Sequence, residues 1–193
     1  MTKIIAFVQQ KGGTGKTTLC DQTAFNLHEL GHAVLVTDLD DQQGSRFHKK
    51  VEEPAGDPDY LLVDTRGSLD LNLRSPVSIG EIIKEADFVI IPTLLESDCI
   101  KPLRLVSELC ILNNTRYLIV CNMVDPGNLL IDRALFTLFK DTYGDCLSDI
   151  LVHRSTLVSQ SRQLNSSLTD TAPRARVTKE MKMLTELILK ELS

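Results

Sequence analysis

Gln10-Lys11-Gly12-Gly13-Thr14-Gly15-Lys16-Thr17-Thr18 is the stretch of this sequence that decides the fold. It follows an apolar run at residues 4–8, which has the composition of a strand buried on both faces. After it, apolar and small residues recur at three- and four-residue steps as far as residue 30, which predicts a helix. A strand, a glycine-rich turn and a helix N-terminus together form an anion site, because the first N–H groups of the helix have no partner.

The residues of this turn have the chemistry of a phosphate-binding loop. Gly12, Gly13 and Gly15 allow the backbone to wrap a ligand without clashes from a Cβ atom. Lys16 can reach the β- and γ-phosphates of a nucleotide, and the Thr17 hydroxyl can bind Mg²⁺. We therefore predict a nucleotide site with these binding residues: Lys11, Gly12, Gly13, Thr14, Gly15, Lys16, Thr17 and Thr18.

Lys11 departs from the ordinary loop pattern, in which a glycine stands at the position of Gln10. Lys11 comes too early in the loop to share the role of Lys16 on the same phosphates. A cation at this position is better explained if it points toward the nucleotide of a facing subunit.

Carboxylates follow two further apolar runs. Asp38-Leu39-Asp40 comes after residues 33–36, and Asp64 ends the run that begins at residue 60. The carboxyl ends of parallel strands meet at one edge of a sheet, where α/β proteins place their sites. Thr17, Asp38 and Asp64 are therefore the predicted metal-binding residues, with Asp64 holding Mg²⁺ through water.

Apolar runs alternate with helical patterns along the rest of the chain. Further strands are predicted at residues 88–92 and 117–121, and a weaker one, interrupted by Ser148 and Asp149, at 147–152. Helices are predicted at 78–86, after Asp98, after Asp125, and at 156–164 and 177–192. This alternation predicts an α/β fold with a doubly wound, mostly parallel sheet flanked by helices, formed by a single domain over residues 1–193.

The composition is that of an ordinary globular chain, with 42% hydrophobic and 24% charged residues. No stretch approaches the roughly 18 apolar residues that a membrane-spanning helix needs, and no signal-peptide pattern is visible. The five cysteines are scattered and form no C-x-x-C pair. Reduced thiols and a cytoplasmic location are the economical interpretation.

The net charge of −5 conceals a basic segment near the end of the sequence. Between residues 150 and 182 only two acidic residues accompany six basic ones, which are Arg154, Arg162, Arg174, Arg176, Lys179 and Lys182. A patch of this size can bind phosphates weakly, and it is also compatible with a solvated face. Arg174, Arg176 and Lys179 are the candidate DNA-binding residues, because near Pro173 their side chains can fan outward.

The segment from Lys11 to Thr18 resembles the deviant Walker A motif of the ParA/MinD ATPases, in which the first lysine crosses the dimer. The similarity covers most of the chain and is strongest to small ParA-type partition ATPases, including the plasmid ParF-like proteins. It implies a fold of the P-loop NTPase type. It also implies that Asp40 positions the attacking water, that Asn122 reads adenine and that Arg154 lies beside the base. Asp41 replaces the proline that is usual in the family.

The same resemblance implies a Mg²⁺-dependent ATP hydrolase that forms a homodimer on binding ATP. Lys11, Lys16 and Asp40 would be its catalytic residues, and ATP and Mg²⁺ its cofactors. Hydrolysis would be slow until a ParB-like centromere-binding or adaptor protein stimulates it. The expected function is partition or positioning of cargo, most simply a plasmid, by ATP-switched non-specific DNA binding, which places the ATP-bound form on the nucleoid.

Two alternative functions remain open. A MinD-like or protein-scaffold positioning ATPase would use the same site, although membrane binding needs a basic amphipathic tail and residues 184–192 have mixed charge. A P-loop biosynthetic ligase is the alternative from a different class, and it would have no use for Lys11. The sequence does not specify the cargo.

Overall fold

The computed structural model describes residues 1–39, 44–65, 78–125, 127 and 129–193. The strands are β1 (Lys3–Phe7), β2 (Val34–Asp38), β3 (Tyr60–Asp64), β4 (Phe88–Thr93) and β5 (Tyr117–Cys121). The α-helices are α1 (Lys16–Glu29), α2 (Ile79–Glu85), α3 (Ile100–Leu112), α4 (Leu129–Tyr143), α5 (Thr156–Gln163), α6 (Leu168–Thr171) and α7 (Arg176–Leu192). Short 3₁₀ turns lie at Phe47–Lys49, Ser97–Cys99 and Gly144–Cys146.

The strands form one parallel sheet in the order β2-β3-β1-β4-β5. In its register Phe7 pairs with Asp64, and Asp64 pairs with Asp38. The ends of β1, β2 and β3 are therefore level, so both carboxylates lie beside the start of the phosphate loop. The α/β class and the parallel sheet predicted from the sequence are confirmed.

Two hydrophobic clusters cover the two faces of the sheet, because successive strand residues point to opposite sides. Ile5 and Phe7 belong to the cluster shared with α1 and α7. Ala6 and Val8 belong to the cluster shared with α2, α3 and α4. The strands are apolar on both faces, as a parallel sheet covered by helices requires.

Local signals in the sequence set several helix ends. Gly31, at φ 90°, ends α1 in a Schellman motif: its N–H bonds the carbonyl of His28, and the N–H of His32 bonds that of Leu27. At the start of α2, Ser78 and Glu81 form a reciprocal capping box. Both helix ends confirm the sequence prediction.

The predicted sixth strand at 147–152 is wrong. Residues 147–153 form two isolated parallel bridges, Leu147 to Ile119 and His153 to Val124, and no continuous ladder with β5. The Ser148 hydroxyl accepts a hydrogen bond from the backbone N–H of Ile150 at 3.0 Å. Such a local bond competes with a strand ladder, so the chain follows the edge of β5 without joining the sheet.

The last helix packs on the sheet as part of the core. Met181, Leu184, Ile188 and Leu192 of α7 are buried, and Asn26 of α1 donates hydrogen bonds to it. The mixed-charge residues 184–192 thus bury their apolar side chains in the core on this face of the sheet. Among the described residues, none of the helices combines the length and apolar character needed to cross a membrane.

Candidate functional site: a nucleotide site at the carboxyl end of the sheet

The phosphate loop connects β1 to α1. Gly13 and Gly15 have φ angles of 79° and 86°, in the left-handed region that glycine tolerates. Gly15 is the N-cap residue of α1, and because it has no side chain it leaves the first N–H groups of the helix open to a ligand. The loop therefore has the geometry of the anion site that the sequence predicts.

The Asn122 side chain, just after β5, packs against the phosphate loop. Its Nδ2 donates to the carbonyl oxygen of Thr14 at 2.8 Å, and a Cβ atom on Gly15 would lie 2.2 Å from that nitrogen. A glycine is therefore required at Gly15 for packing as well as for its φ angle. The resemblance assigns Asn122 to adenine, whereas in this structure its side chain bonds the phosphate loop. Adenine recognition stays a prediction.

Lys16, Thr17 and Thr18 form the start of α1, and Lys16 and Thr18 are buried. Gly44, in the segment that follows β2, lies against this first turn of α1. A Cβ atom on Gly44 would lie 3.2 Å from Cγ2 and 3.6 Å from Oγ1 of Thr17. The backbone after β2 therefore lies directly against the threonine that is predicted to bind Mg²⁺.

Asp64 is completely buried, and among the described residues neither of its oxygens has a hydrogen-bond partner. Burial, with a smaller contribution from the nearby Asp38 carboxylate, raises the pKa of Asp64 to about 7. The Thr17 hydroxyl and the Lys16 ammonium lie near enough to lower that pKa in part. An unsatisfied buried carboxylate beside a threonine hydroxyl fits a hard cation with oxygen ligands, such as Mg²⁺.

Asp38 holds the segment that returns after β2. Its Oδ2 accepts a hydrogen bond from the N–H of Ser45 at 2.9 Å. Asp21 of α1 accepts from the Ser45 hydroxyl at 2.6 Å and from the N–H of Arg46 at 2.9 Å. The predicted catalytic residue Asp40 and the substitution at Asp41 lie outside the described residues.

Lys11 is paired with carboxylates of its own subunit. Its Nζ lies 2.5 Å from Asp98 and 3.0 Å from Glu96, both in the connection from β4 to α3. These hydrogen bonds raise the pKa of Lys11 above its usual range. The side chain is 22% exposed. In the single subunit Lys11 therefore occupies an acidic site of its own chain, and its reach across a dimer stays a prediction.

Arg154 is exposed and follows His153, and its N–H bonds the carbonyl oxygen of Val124. His153 Nδ1 and Glu180 Oε1 are 2.7 Å apart. Arg176 donates to the same Glu180 oxygen at 2.7 Å and lies 2.9 Å from His153 Nε2. Arg176 thus pairs with Glu180 one helical turn away, while 64% of its side chain stays exposed. Its role in DNA binding stays a prediction.

Arg174 and Lys179, the other two candidate DNA-binding residues, are exposed. Arg162 is a basic residue whose place the sequence reasoning missed. Its Nη1 donates to the Thr18 hydroxyl at 3.3 Å, and its Nη2 donates to the carbonyl oxygen of Gly44 at 3.3 Å. Arg162 therefore lies at the candidate nucleotide site. Because it is far from α1 in sequence, no short motif could have shown this position.

The parallel sheet and the glycine loop that enters α1 define a fold of the P-loop NTPase type. A family model described as an AAA domain matches residues 2–56. Cell division protein PomZ of Myxococcus xanthus strain DK1622 is 58% identical over 36 residues, which is 19% of this chain and 11% of PomZ. The match thus spans about a ninth of the length of this curated relative.

Solved structures match over nearly the whole chain. A candidate plasmid partition protein of Borrelia burgdorferi B31 bound to AMPPNP has a TM-score of 0.76 at 18% identity, covering 99% of this chain and 100% of that one. The septum site-determining protein MinD of Pyrococcus horikoshii OT3, complexed with Mg-ADP, has a TM-score of 0.75 at 16% identity, covering 97% and 96%. These matches confirm the predicted resemblance and fold.

The same fold also occurs in a biosynthetic enzyme. Cobyrinic acid a,c-diamide synthase of Mycobacterium smegmatis, with bound ADP and magnesium, has a TM-score of 0.69 at 15% identity, covering 98% of this chain and 95% of that one. A shared fold at such identities does not define an activity, so the activity must be argued from the residues of the site.

Proposed function

We propose that this protein is a Mg²⁺-dependent ATPase that dimerises on binding ATP and partitions or positions a cargo. The observation that carries the nucleotide chemistry is Asp64, a fully buried carboxylate without a hydrogen-bond partner among the described residues. It lies in register with Asp38 and next to the phosphate loop. A buried acid of this kind is costly unless a cation or a proton compensates its charge.

Each residue of the site has a role in phosphoryl transfer to water. The N–H groups at the start of α1 and the Lys16 ammonium bind the phosphates. Thr17 and Asp64, with Asp38 beside them, would hold Mg²⁺, which would offset negative charge on the phosphates. Asp40 orients the attacking water. Positioning and charge neutralisation account for most of the catalysis, so no covalent intermediate is required.

Lys11 extends the proposal to a dimer. Lys16 already serves the phosphates of its own subunit, and a second cation from the facing subunit completes the site only when two ATP-bound copies meet. ATP then acts as a switch for dimerisation, and hydrolysis ends the dimeric state. A ParB-like or adaptor protein that improves the geometry of the site would set the rate.

The cargo part of the proposal rests on the exposed basic residues near the start of α7. In an ATP-bound dimer this surface occurs twice, and non-specific DNA affinity rises with the number of phosphates that are neutralised. The protein would then be cytoplasmic and nucleoid-bound in its ATP state. A protein-scaffold positioning ATPase is the second candidate, because Glu180 already engages Arg176 and so reduces the free positive charge.

The test measures nucleotide affinity, dimerisation and turnover in three variants. Lys16→Ala should lose nucleotide affinity, because the phosphates lose their main cation. Lys11→Ala should bind nucleotide but should neither dimerise with a slowly hydrolysed ATP analogue nor hydrolyse ATP. Asp40→Ala should accumulate as an ATP-bound dimer. Normal dimerisation of Lys11→Ala in analytical ultracentrifugation would exclude the lysine that acts across the dimer.

A further inference from the structure

Arg162 carries an inference that goes beyond the roles assigned to the phosphate loop. It lies in the last turn of α5, more than 140 residues after Thr18, yet its guanidinium reaches the start of α1. We propose that Arg162 is a positioning residue of the nucleotide site: it clamps the Thr18 hydroxyl and the Gly44 carbonyl together and directs the Thr18 proton toward a nucleotide phosphate. This inference rests on the proposed nucleotide binding and deepens it.

Hydrogen-bond chemistry fixes the direction of the Thr18 hydroxyl. A guanidinium has donors only, so in its contact with Arg162 the Thr18 oxygen must accept. The hydroxyl proton then points away from Arg162 and is free to donate to another group. Thr18 is the third residue of α1, in the turn whose N–H groups face an anion. A phosphate oxygen is the acceptor that this position offers.

The second contact ties Arg162 to the segment that returns after β2. The carbonyl of Gly44 accepts from Nη2, and Gly44 lies against Thr17. The next two residues of that segment, Ser45 and Arg46, donate hydrogen bonds to Asp21. Arg162 and Asp21 therefore both hold this segment, and the planar guanidinium spans two acceptors that a single ammonium could not span equally well.

The guanidinium is also placed before any ligand binds. The N–H of Leu168 donates to the Gln22 side chain at 2.9 Å, one turn of α1 beyond Thr18, so the chain after α5 is anchored to the same helix. No ion pair reaches Arg162 within the described part of the chain, and both of its hydrogen-bond acceptors are uncharged. Burial raises the pKa of Asp21, and the nearby Arg162 charge lowers it in part, so the positive charge of Arg162 is shared between Asp21 and a bound phosphate. Because the guanidinium is already held in place, little conformational entropy is lost on binding.

The experiment compares the affinity for Mg²⁺-ADP by calorimetry in the full-length protein. Arg162→Gln should raise the Kd about tenfold to a hundredfold, the range for loss of a charged hydrogen bond. Arg162→Lys should restore little of this affinity, because the ammonium keeps the charge but loses the two-acceptor geometry. Lys190→Gln, which removes one exposed charge from the last turn of α7, is the matched control and should bind as wild type.

A double-mutant cycle separates positioning from a general structural role. Thr18→Val removes the hydroxyl and keeps the shape of the side chain. If Arg162 acts through that hydroxyl, Arg162→Gln should weaken binding at least fivefold less in the Thr18→Val background, since contacting residues are not additive (about 1 kcal/mol of coupling). Additive effects, or full rescue by Arg162→Lys, would overturn the proposal.

The controls also keep this inference distinct from the function on which it depends. Failure of the wild-type protein to bind Mg²⁺-ADP or Mg²⁺-ATP would disprove the proposed function itself. If the wild-type protein binds nucleotide and Arg162→Gln binds it with the same Kd, only the positioning role of Arg162 is disproved. If Arg162→Gln unfolds without nucleotide, the contact can instead be tested by changing Thr18. Thr18→Val removes the hydroxyl and should weaken binding, whereas Thr18→Ser keeps the hydroxyl and should retain wild-type affinity.

Discussion

Asp64 shows how a site residue can work against the stability of the fold that contains it. The side chain is fully buried, and its pKa is raised to about 7, chiefly by burial. The folded protein thus holds a proton on Asp64 more tightly than the unfolded chain, in which an aspartate has a pKa near 3.9. Ionisation of this residue therefore costs folding free energy, which a bound cation would offset.

The sign of this effect gives a pH prediction. Because the folded pKa is raised, stability without Mg²⁺ should fall as pH rises from about 4 to about 7 and then become level. In Asp64→Asn this dependence should disappear, and at pH 8 the variant should be more stable than wild type by a few kcal/mol. Urea unfolding at several pH values, with a chelator present, measures it.

Asp57→Asn is the control for Asp64→Asn, because Asp57 is exposed in the connection before β3. It should leave the pH dependence unchanged. Asp64→Asn should also abolish the effect of Mg²⁺ on nucleotide affinity. If Asp64→Asn is less stable than wild type at pH 8, other groups of the folded protein already compensate the negative charge of Asp64.

The individual basic residues show which parts of the site could be predicted from sequence. Lys16 and Thr17 were predictable because the loop and the helix are continuous in the chain. Arg162 and Arg176 could not be distinguished by composition, since both belong to one basic segment. Only the fold places Arg162 beside Thr18 and puts Arg176 on Glu180.

Among the secondary-structure elements, prediction succeeded where one physical signal dominated. β3 and β5 end where expected, because continuous apolar runs stop at Asp64 and at Asn122. The strand at 147–152 was wrong because a serine hydroxyl satisfied the backbone locally. The short helix α6 was missed, although Ser167 caps it by accepting from the N–H of Asp170, a spacing that is visible in the sequence.

The connection from β4 to α3 is the element that binds Lys11 in the single subunit. Glu96 and Asp98 are exposed carboxylates, so they compete with the phosphates of a facing subunit for the same ammonium. We expect Glu96→Gln/Asp98→Asn to dimerise with ATP at a few-fold lower protein concentration. The gain should be modest and should shrink with salt, as for other exposed ion pairs. Sedimentation velocity across a protein concentration series measures it.

Glu108→Gln is the matched control for this pair. It removes an exposed carboxylate that pairs with Arg104 within α3, and it should leave dimerisation unchanged. ATP affinity of the monomer should be the same in all three proteins. Weaker dimerisation of the double variant would show that the carboxylates orient Lys11 for the partner instead of competing with it.

For the whole molecule, the candidate nucleotide site and the candidate DNA-binding residues occupy different parts of the fold. Site residues gather at the carboxyl ends of the strands, as in other open α/β sheets. The exposed residue Arg174 precedes α7 by two residues, and the exposed residue Lys179 lies in its first turn. This helix is packed against α1 and so connected to the phosphate loop. A nucleotide-dependent dimer could in this way present two basic surfaces while its own net charge stays negative, at −5 per chain.

DNA binding by the ATP-bound dimer is the prediction that distinguishes a DNA-based positioning ATPase from the alternatives. Binding to random-sequence DNA should require ATP, because one copy of the basic surface neutralises too few phosphates. It should weaken steeply with salt, with a log–log slope of roughly −0.9 for each phosphate contact. Arg174→Gln/Lys179→Gln removes two such charges per subunit, so the slope should become shallower by up to about 3.6 units in a dimer. Cosedimentation with DNA in ATP and in ADP, across a salt series, measures it.

Lys84→Gln/Lys190→Gln is the matched control, since it removes the same charge from exposed positions on α2 and at the end of α7. If the effect is only that of net charge, both double variants should lose affinity equally. If the surface at the start of α7 contacts DNA, only Arg174→Gln/Lys179→Gln should change the slope, while its ATP affinity and dimerisation stay normal. Absence of DNA binding by the wild-type protein with ATP at low salt would exclude transport on the nucleoid. The Lys11-dependent dimer would then be better explained as a switch that docks a protein scaffold.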